Sequence, residues 1–295
     1  MARGARSVPL PSPNVAFDAD FVRRLERLEA RLVALASRRD GAGRGRLSEG
    51  GLEFVGHRPY RPGEDLRHLD WGLLGRLDRA FVKILRREAG EHWAVLIDGS
   101  ASMGTGVPGK LQWAAELAAG LASLGVRQRA AVEISVSGSR PWSMLVRKKH
   151  DLWAWMKRIQ TVRAEGEQGV AALCETTRVR AADRVFAVGD WLGREVQAVQ
   201  SLLRRGRELC AVCVLAPEEL APEVRGSVEW TDPETGAAAE VVLDRGLLAR
   251  YEQRIDAEVE RVRAFCRRHR IASGVYASDS AFEVAVDELL GSGGA

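Results

Sequence analysis

Ala94-Val95-Leu96-Ile97-Asp98-Gly99-Ser100-Ala101-Ser102-Met103-Gly104 decides how the rest of the chain is read. Led in by Trp93, four apolar residues in a row predict a strand buried on both faces. The run stops at an aspartate, passes through a Gly/Ser loop and gives way to a helical pattern. In an open α/β sheet, ligands sit just beyond the carboxyl ends of such strands. Asp98, Ser100 and Ser102 alternate along the loop, so one carboxylate and two hydroxyls can converge on one point. Hard oxygen ligands of low total charge suit Mg²⁺ or Mn²⁺ better than zinc.

Downstream, strands and helices alternate. Leu111 to Leu124 is an Ala-rich helix stopping at Gly125, Ala130 to Ser137 alternates like a strand, and Trp142 to Val146 reads as a second, edge-like one. Asp151 to Ile159 predicts a helix whose Trp153, Trp155 and Met156 pack in a core or an interface. Val170 to Arg180 reads as helix. Arg184 to Gly189 is a second buried strand, ending at Asp190. Glu195 to Arg205 reads as helix and Leu209 to Leu215 as a third buried strand. After Pro217, residues 227–243 form a β-ribbon turning at Asp232-Pro233-Glu234-Thr235-Gly236. Leu247 to His269 follows as a long helix, Ile271 to Tyr276 as a strand and Ala281 to Leu290 as a last helix. The fold class is α/β, a mostly parallel sheet covered by helices on both faces.

Upstream, residues 1–16 are rich in Pro, Ser and Arg and read as disordered. Phe21, Leu25, Leu28, Leu32 and Leu35 mark an amphipathic helix with Asp18 or Asp20 near its N-cap. A Gly/Arg linker follows from Asp40 to Arg46. In the segment from Gly50 to Trp71, Pro62-Gly63 fits a type II turn and Asp65 caps a short helix carrying Leu69 and Trp71, with Trp71 in the core and Asp70 paired to an arginine. Phe81 to Leu85 then reads as a strand entering the main sheet. The expected domains are 17–90, a helical and turn-rich arm, and 91–290, the α/β domain, with a tail at 291–295.

The totals narrow the function classes. With 295 residues there is ample chain for a large core, and no apolar run is long enough to cross a bilayer. The start lacks the apolar segment of a secretory signal, so the expected location is cytoplasmic. The net charge of +4 is spread among interspersed acids and bases, which argues against nucleic acid as a partner. Cys210-x-x-Cys213 lies within a predicted strand that points the two sulfurs to opposite faces, so these are core cysteines rather than half a zinc site.

Arg58-Pro-Tyr-Arg-Pro-Gly-Glu-Asp-Leu-Arg-His-Leu-Asp-Trp71, followed by Leu96-Ile-Asp-Gly-Ser-Ala-Ser-Met103, resembles the bacterial "domain of unknown function 58" family over residues 46–290. The resemblance implies a von Willebrand factor A-like domain carrying a metal-ion-dependent adhesion site. In such a site Ser100 and Ser102 would bind the metal directly, with Asp98 acting through water and Asp190 as the distal aspartate. The threonine expected on the middle loop is missing from Ala164-Glu-Gly-Glu-Gln-Gly169, where Glu167 or Gln168 would have to substitute. An ion so weakly neutralised stays electrophilic, and a partner's carboxylate can complete its shell. The implied partner is a MoxR-type AAA+ ATPase in a system that assembles or remodels proteins. Arg58, Tyr60, Arg61 and Arg67 form a second candidate partner surface, weighed against a purely structural role for the segment.

Two alternatives stand beside this interaction reading. One is a metal-free scaffold whose Asp-x-Ser-x-Ser loop is only a turn. The other is a hydrolase using the ion as a Lewis acid. Gly104-Thr-Gly-Val-Pro-Gly-Lys-Leu111 nearly spells a phosphate-binding loop, but Leu111 stands where Ser or Thr is needed and Pro108 removes an amide, so a linker is expected there. No Gly-x-Ser-x-Gly elbow surrounds Ser100 or Ser102.

Overall fold

A computed structural model describes residues 14–40, 52–61, 65, 69–87, 90–191, 195–203, 207–222 and 226–291. The linker at 41–46, the Pro62-Gly63 turn, Arg67 and the end of the tail lie outside them, as do residues 1–13. The chain divides into two compact units, Leu32–Gly90 and a larger one joining Met1–Arg31 to Glu91–Ala295.

The first helix, α1 (Ala19–Asp40), begins where Asp18 Oδ1 accepts the Phe21 amide at 2.7 Å. Ahead of it, Val15 is buried and Ala16 exchanges two hydrogen bonds with Gln112, so the ordered chain starts earlier than the composition suggested. Within the smaller unit, β1 (Leu52–Pro59) pairs antiparallel with β2 (Phe81–Arg87), and α2 (Trp71–Leu77) lies between them in sequence. This corrects two expectations. The strand at Phe81 does not enter the main sheet but pairs with β1 in a two-stranded sheet of its own. The cap of α2 is Asp70, which accepts the Leu73 amide at 3.0 Å and holds His57 Nε2 at 2.8 Å. That cap starts the helix at Trp71, whose side chain is 65% exposed rather than core.

In the larger unit, β3 (His92–Ile97) is the predicted central strand, fully buried from Trp93 onward. It is followed by α3 (Lys110–Arg127), β4 (Ala131–Val136), β5 (Trp142–Val146) and α4 (Lys149–Ile159). Next come α5 (Thr177–Ala181), β6 (Arg184–Gly189), β7 (Glu208–Leu215) and α6 (Pro217–Leu220). The ribbon β8 (Gly226–Thr231) and β9 (Ala238–Leu243), α7 (Arg245–His269), β10 (Ala272–Ala277) and α8 (Phe282–Gly291) complete it. The six-stranded sheet runs β10-β7-β6-β3-β4-β5, parallel throughout except for the antiparallel edge strand β5.

Two predicted helices are shorter and tighter than expected. Residues 170–180 split into a 3₁₀ turn at Val170–Leu173 and the brief α5, and Glu195–Leu202 is 3₁₀ throughout. Val196, Val199 and Leu202 are all fully buried and fall three apart, which suits a helix of three residues per turn. Together with Val170, Leu173, Ile255 and Val262 they cover one sheet face, meeting Ala94, Leu96, Ala187 and Ala211. The opposite face packs on α3, whose Ala114, Ala115, Ala118, Ala119 and Ala122 are fully buried. Small side chains let α3 sit between the sheet and the outer helices. There Arg24 of α1 forks onto Glu283 of α8 at 2.8 and 2.6 Å, and the Phe21 and Phe282 rings lie 5.3 Å apart. Cys210 and Cys213 are buried in β7, and burial pushes both thiols up to about 12, so they behave as small apolar residues.

Candidate functional site

The chain leaves β3 toward β4 on one side and returns at β6 on the other. That reversal opens a crevice at the carboxyl ends of β3 and β6, where α/β sheets hold their ligands. Asp98 ends β3 and Asp190 ends β6, and they are 1% and 5% exposed. Asp98 Oδ1 accepts the Ser100 amide at 2.8 Å, which turns the chain so that Ser100 Oγ and Ser102 Oγ stand 3.1 Å apart. Thus Asp98, Ser100 and Ser102 meet on one loop, and Asp190 ends the adjacent strand next to Gly189, which packs against Asp98.

The loop is held by main chain. Gly99 donates its amide to Ser137 Oγ at 3.0 Å and accepts from the Glu165 amide at 3.0 Å, while Ala101 donates to the Gly166 carbonyl at 2.9 Å. Gly138 donates to the Gln168 carbonyl at 2.9 Å. A Cβ at Gly99 would lie 2.3 Å from the Ser137 carbonyl oxygen, so only glycine fits. Gly138, at φ +102°, is pressed against the Gly99 carbonyl in the same way. Three loops meet backbone to backbone. In this junction Glu165, Gly166 and Gln168 contribute main-chain amides or carbonyls, whereas the Glu167 and Gln168 side chains are exposed.

The electrostatics hold a residue that sequence reasoning missed. Lys110, fully buried at the start of α3, donates from Nζ to Asp190 Oδ2 at 3.0 Å and to Glu219 Oε1 of α6 at 2.7 Å. Burial works against its charge, but Asp190 and Glu219 outweigh that and hold the ammonium above its ordinary value. The stretch expected to be a linker therefore delivers a cation to the distal aspartate. Among the described residues no cation contacts Asp98: burial, with a smaller push from Asp190, drives its carboxyl up to about 6 against the hydrogen bonds of Ser100 and a weaker pull from Lys110. A second missed residue is Glu234 at the ribbon tip. Though exposed at the turn, its carboxyl is raised by partial burial first and then by Asp190.

Two hydroxyls and two carboxylates suit a hard divalent cation. Cis ligands of an octahedral ion with bonds of about 2.1 Å stand about 3 Å apart, close to the Ser100–Ser102 spacing. Among the described residues the buried Asp98 is supported by the hydrogen bonds of Ser100 and, more weakly, by Lys110, whereas Asp190 is in direct contact with Lys110. Among the described residues no group of three or more His, Cys, Asp or Glu could hold a metal without the serines. The other candidate surface lies on the smaller unit, where Arg58 and Arg61 are exposed and Tyr60 is half-buried.

The family model described as "Protein of unknown function DUF58" matches residues 56–261, well over half of the chain. No curated protein matches it. Among solved structures, it is similar to conserved hypothetical protein BatB from Bacteroides thetaiotaomicron, at 14% identity and a TM-score of 0.43, over 69% of this chain and 98% of that one. An aerotolerance-related membrane protein from Bacteroides fragilis matches at 17% identity and a TM-score of 0.40, over 68% of this chain and all of that one. No described helix of this chain is long and apolar enough to cross a membrane.

Proposed function

The chain belongs to the DUF58 family, and from that premise we propose that it is a non-enzymatic interaction module, presenting a divalent cation to a partner's carboxylate. In this reading the larger unit is von Willebrand A-like and Mg²⁺ or Mn²⁺ is held by Ser100 and Ser102, with Asp98 and Asp190 behind them. The bound ion supplies an electrophilic position that a Glu or Asp of the partner fills. The observation that carries the reading is the pair of hydroxyl oxygens 3.1 Å apart beside a buried carboxylate that lacks a contacting cation. By the family resemblance, the partner is a MoxR-type AAA+ ATPase, engaged in assembling or remodelling a client protein.

One observation favours a second reading. Lys110 already neutralises Asp190, so the same loop serves a metal-free scaffold in which the ammonium stands in for the ion. Calorimetric titration of Mg²⁺ and Mn²⁺ into wild type and into Ser100→Ala/Ser102→Ala separates the two. The cation reading expects saturable binding that disappears in the double variant. Heat unchanged by the double substitution, or no binding with the candidate ATPase also present, supports the scaffold.

A further inference from the structure

Beside the cation loop, on the β4–β5 side, lies a cavity of about 550 Å³ that has no part in the reading above. Its wall includes Arg140, Trp142, Arg158 and Arg163, and it abuts the loop junction through Ser137 and Glu165. The size is that of a small-molecule site, and Pro141, Trp142 and Val162 give it an apolar side.

The polar side consists mainly of donors. Arg140, Arg158 and Arg163 have no carboxylate within ion-pairing distance among the described residues, although salt bridges are frequent elsewhere in this unit. Arg158 is held in place by stacking, its guanidinium carbon 4.4 Å from the centre of the Trp142 ring. Such stacking occupies a face of the guanidinium and leaves its N–H edge free to meet an oxyanion. Trp142 supplies the stacking surface of this wall rather than a donor, because its indole N–H is shielded from solvent and so from the cavity as well. The acid on the wall, Glu165, is engaged by Ser139 Oγ at 3.4 Å.

We propose that this cavity binds an oxyanion carried on an apolar body, a phosphate ester or carboxylate of small-molecule size. The arginines take the oxyanion, and Pro141, Trp142 and Val162 take the body. The site is independent of any cation on the neighbouring loop, and its test runs in the presence of a chelator.

The experiment follows the indole N–H signals of the ¹⁵N-labelled full chain during titration with inorganic phosphate, phenyl phosphate and benzoate. Trp142→Phe identifies the Trp142 signal among those of the eight tryptophans. The expected result is a saturable shift of that signal with phenyl phosphate or benzoate, several-fold tighter than with inorganic phosphate. The relative affinity of the two aromatic probes tells whether phosphate or carboxylate is the better head group. Arg140→Gln/Arg163→Gln should weaken binding at least tenfold while the other indole signals stay in place. Arg250→Gln/Arg254→Gln, which removes the same charge from exposed positions on α7, should leave it unchanged. No saturable shift of the Trp142 signal, or equal weakening by both pairs of substitutions, overturns the proposal. A peptide rich in glutamate that shifts the signal when neither aromatic probe does also overturns it, in favour of a protein partner.

Discussion

Asp98 and Asp190 close adjacent parallel strands at equal depth, yet their electrostatic surroundings are opposite. Asp190 faces a buried ammonium that is itself clamped by Glu219, whereas Asp98 is buried among hydrogen-bond donors without a contacting cation. One carboxylate is compensated within the fold and the other is left with an elevated pKa. The difference teaches where the crevice is structural and where it is reactive. Asp190 is paired within the fold, while Asp98 and its serines stand without a contacting cation among the described residues.

The largest effect should come from removing the compensation. Lys110→Met leaves Asp190 and Glu219 facing each other without a cation, and a buried pair broken in this way costs about 3–5 kcal/mol. Urea denaturation should show that loss. If Asp190 then behaves like Asp98, millimolar Mg²⁺ should restore stability to the variant by more than it adds to wild type. Equal effects of Mg²⁺ on both proteins would mean that the two carboxylates are not interchangeable.

Asp98→Asn removes the buried charge and should act in the opposite direction. The folded carboxyl sits near 6, above its ordinary 3.8, so the proton is bound more tightly in the folded state. Its contribution to stability is fully present below about pH 4 and is lost as the pH rises through about 6. Two pKa units correspond to about 3 kcal/mol as an upper bound. With chelator present, the variant should therefore be more stable than wild type at pH 8 and no more stable at pH 4. Denaturation midpoints across that range check the sign.

Gly99→Ala tests the frame that presents both carboxylates. The new methyl meets a backbone carbonyl that cannot move alone, and a loss of about 1–3 kcal/mol is expected, together with loss of any cation binding. The smallest effect belongs to Ser100→Ala/Ser102→Ala, which removes the hydrogen bond between the hydroxyls and the one from the Ser100 hydroxyl to Asp98. Stability should change by about 1 kcal/mol, so that any loss of cation binding reports on ligation rather than folding.

The same contrast explains how much was legible in the sequence. Asp98, Ser100 and Ser102 are local: an apolar run ending in an alternating polar loop announces both the strand and its ligands. Lys110 could not be placed that way, because its partners lie 80 and 109 residues further along and only tertiary packing brings them together. The pairing of β2 was missed for the same reason, since an apolar strand states its burial but not its neighbour. Trp71 shows that a large apolar side chain does not by itself mean core, since it sits exposed at the first turn of α2. The 3₁₀ character of 195–202 was not available, since Leu202 and Leu203 let the apolar residues be spaced from Val196 and Val199 at three or at three and four alike. Glu234 was quoted only as part of a turn, and nothing in the ribbon's own sequence says what its tip approaches.

The backbone junction of Gly99, Gly138 and residues 165–168 has a consequence for variation. Its shape is made by amides and carbonyls that every residue carries, so side chains on the middle loop are displayed by the frame without building it. Glu167 and Gln168 are in effect cargo on a preformed socket. Such a socket lets chemistry change while geometry stays constant, and exchanging Gln168 for threonine becomes a question of ligation alone.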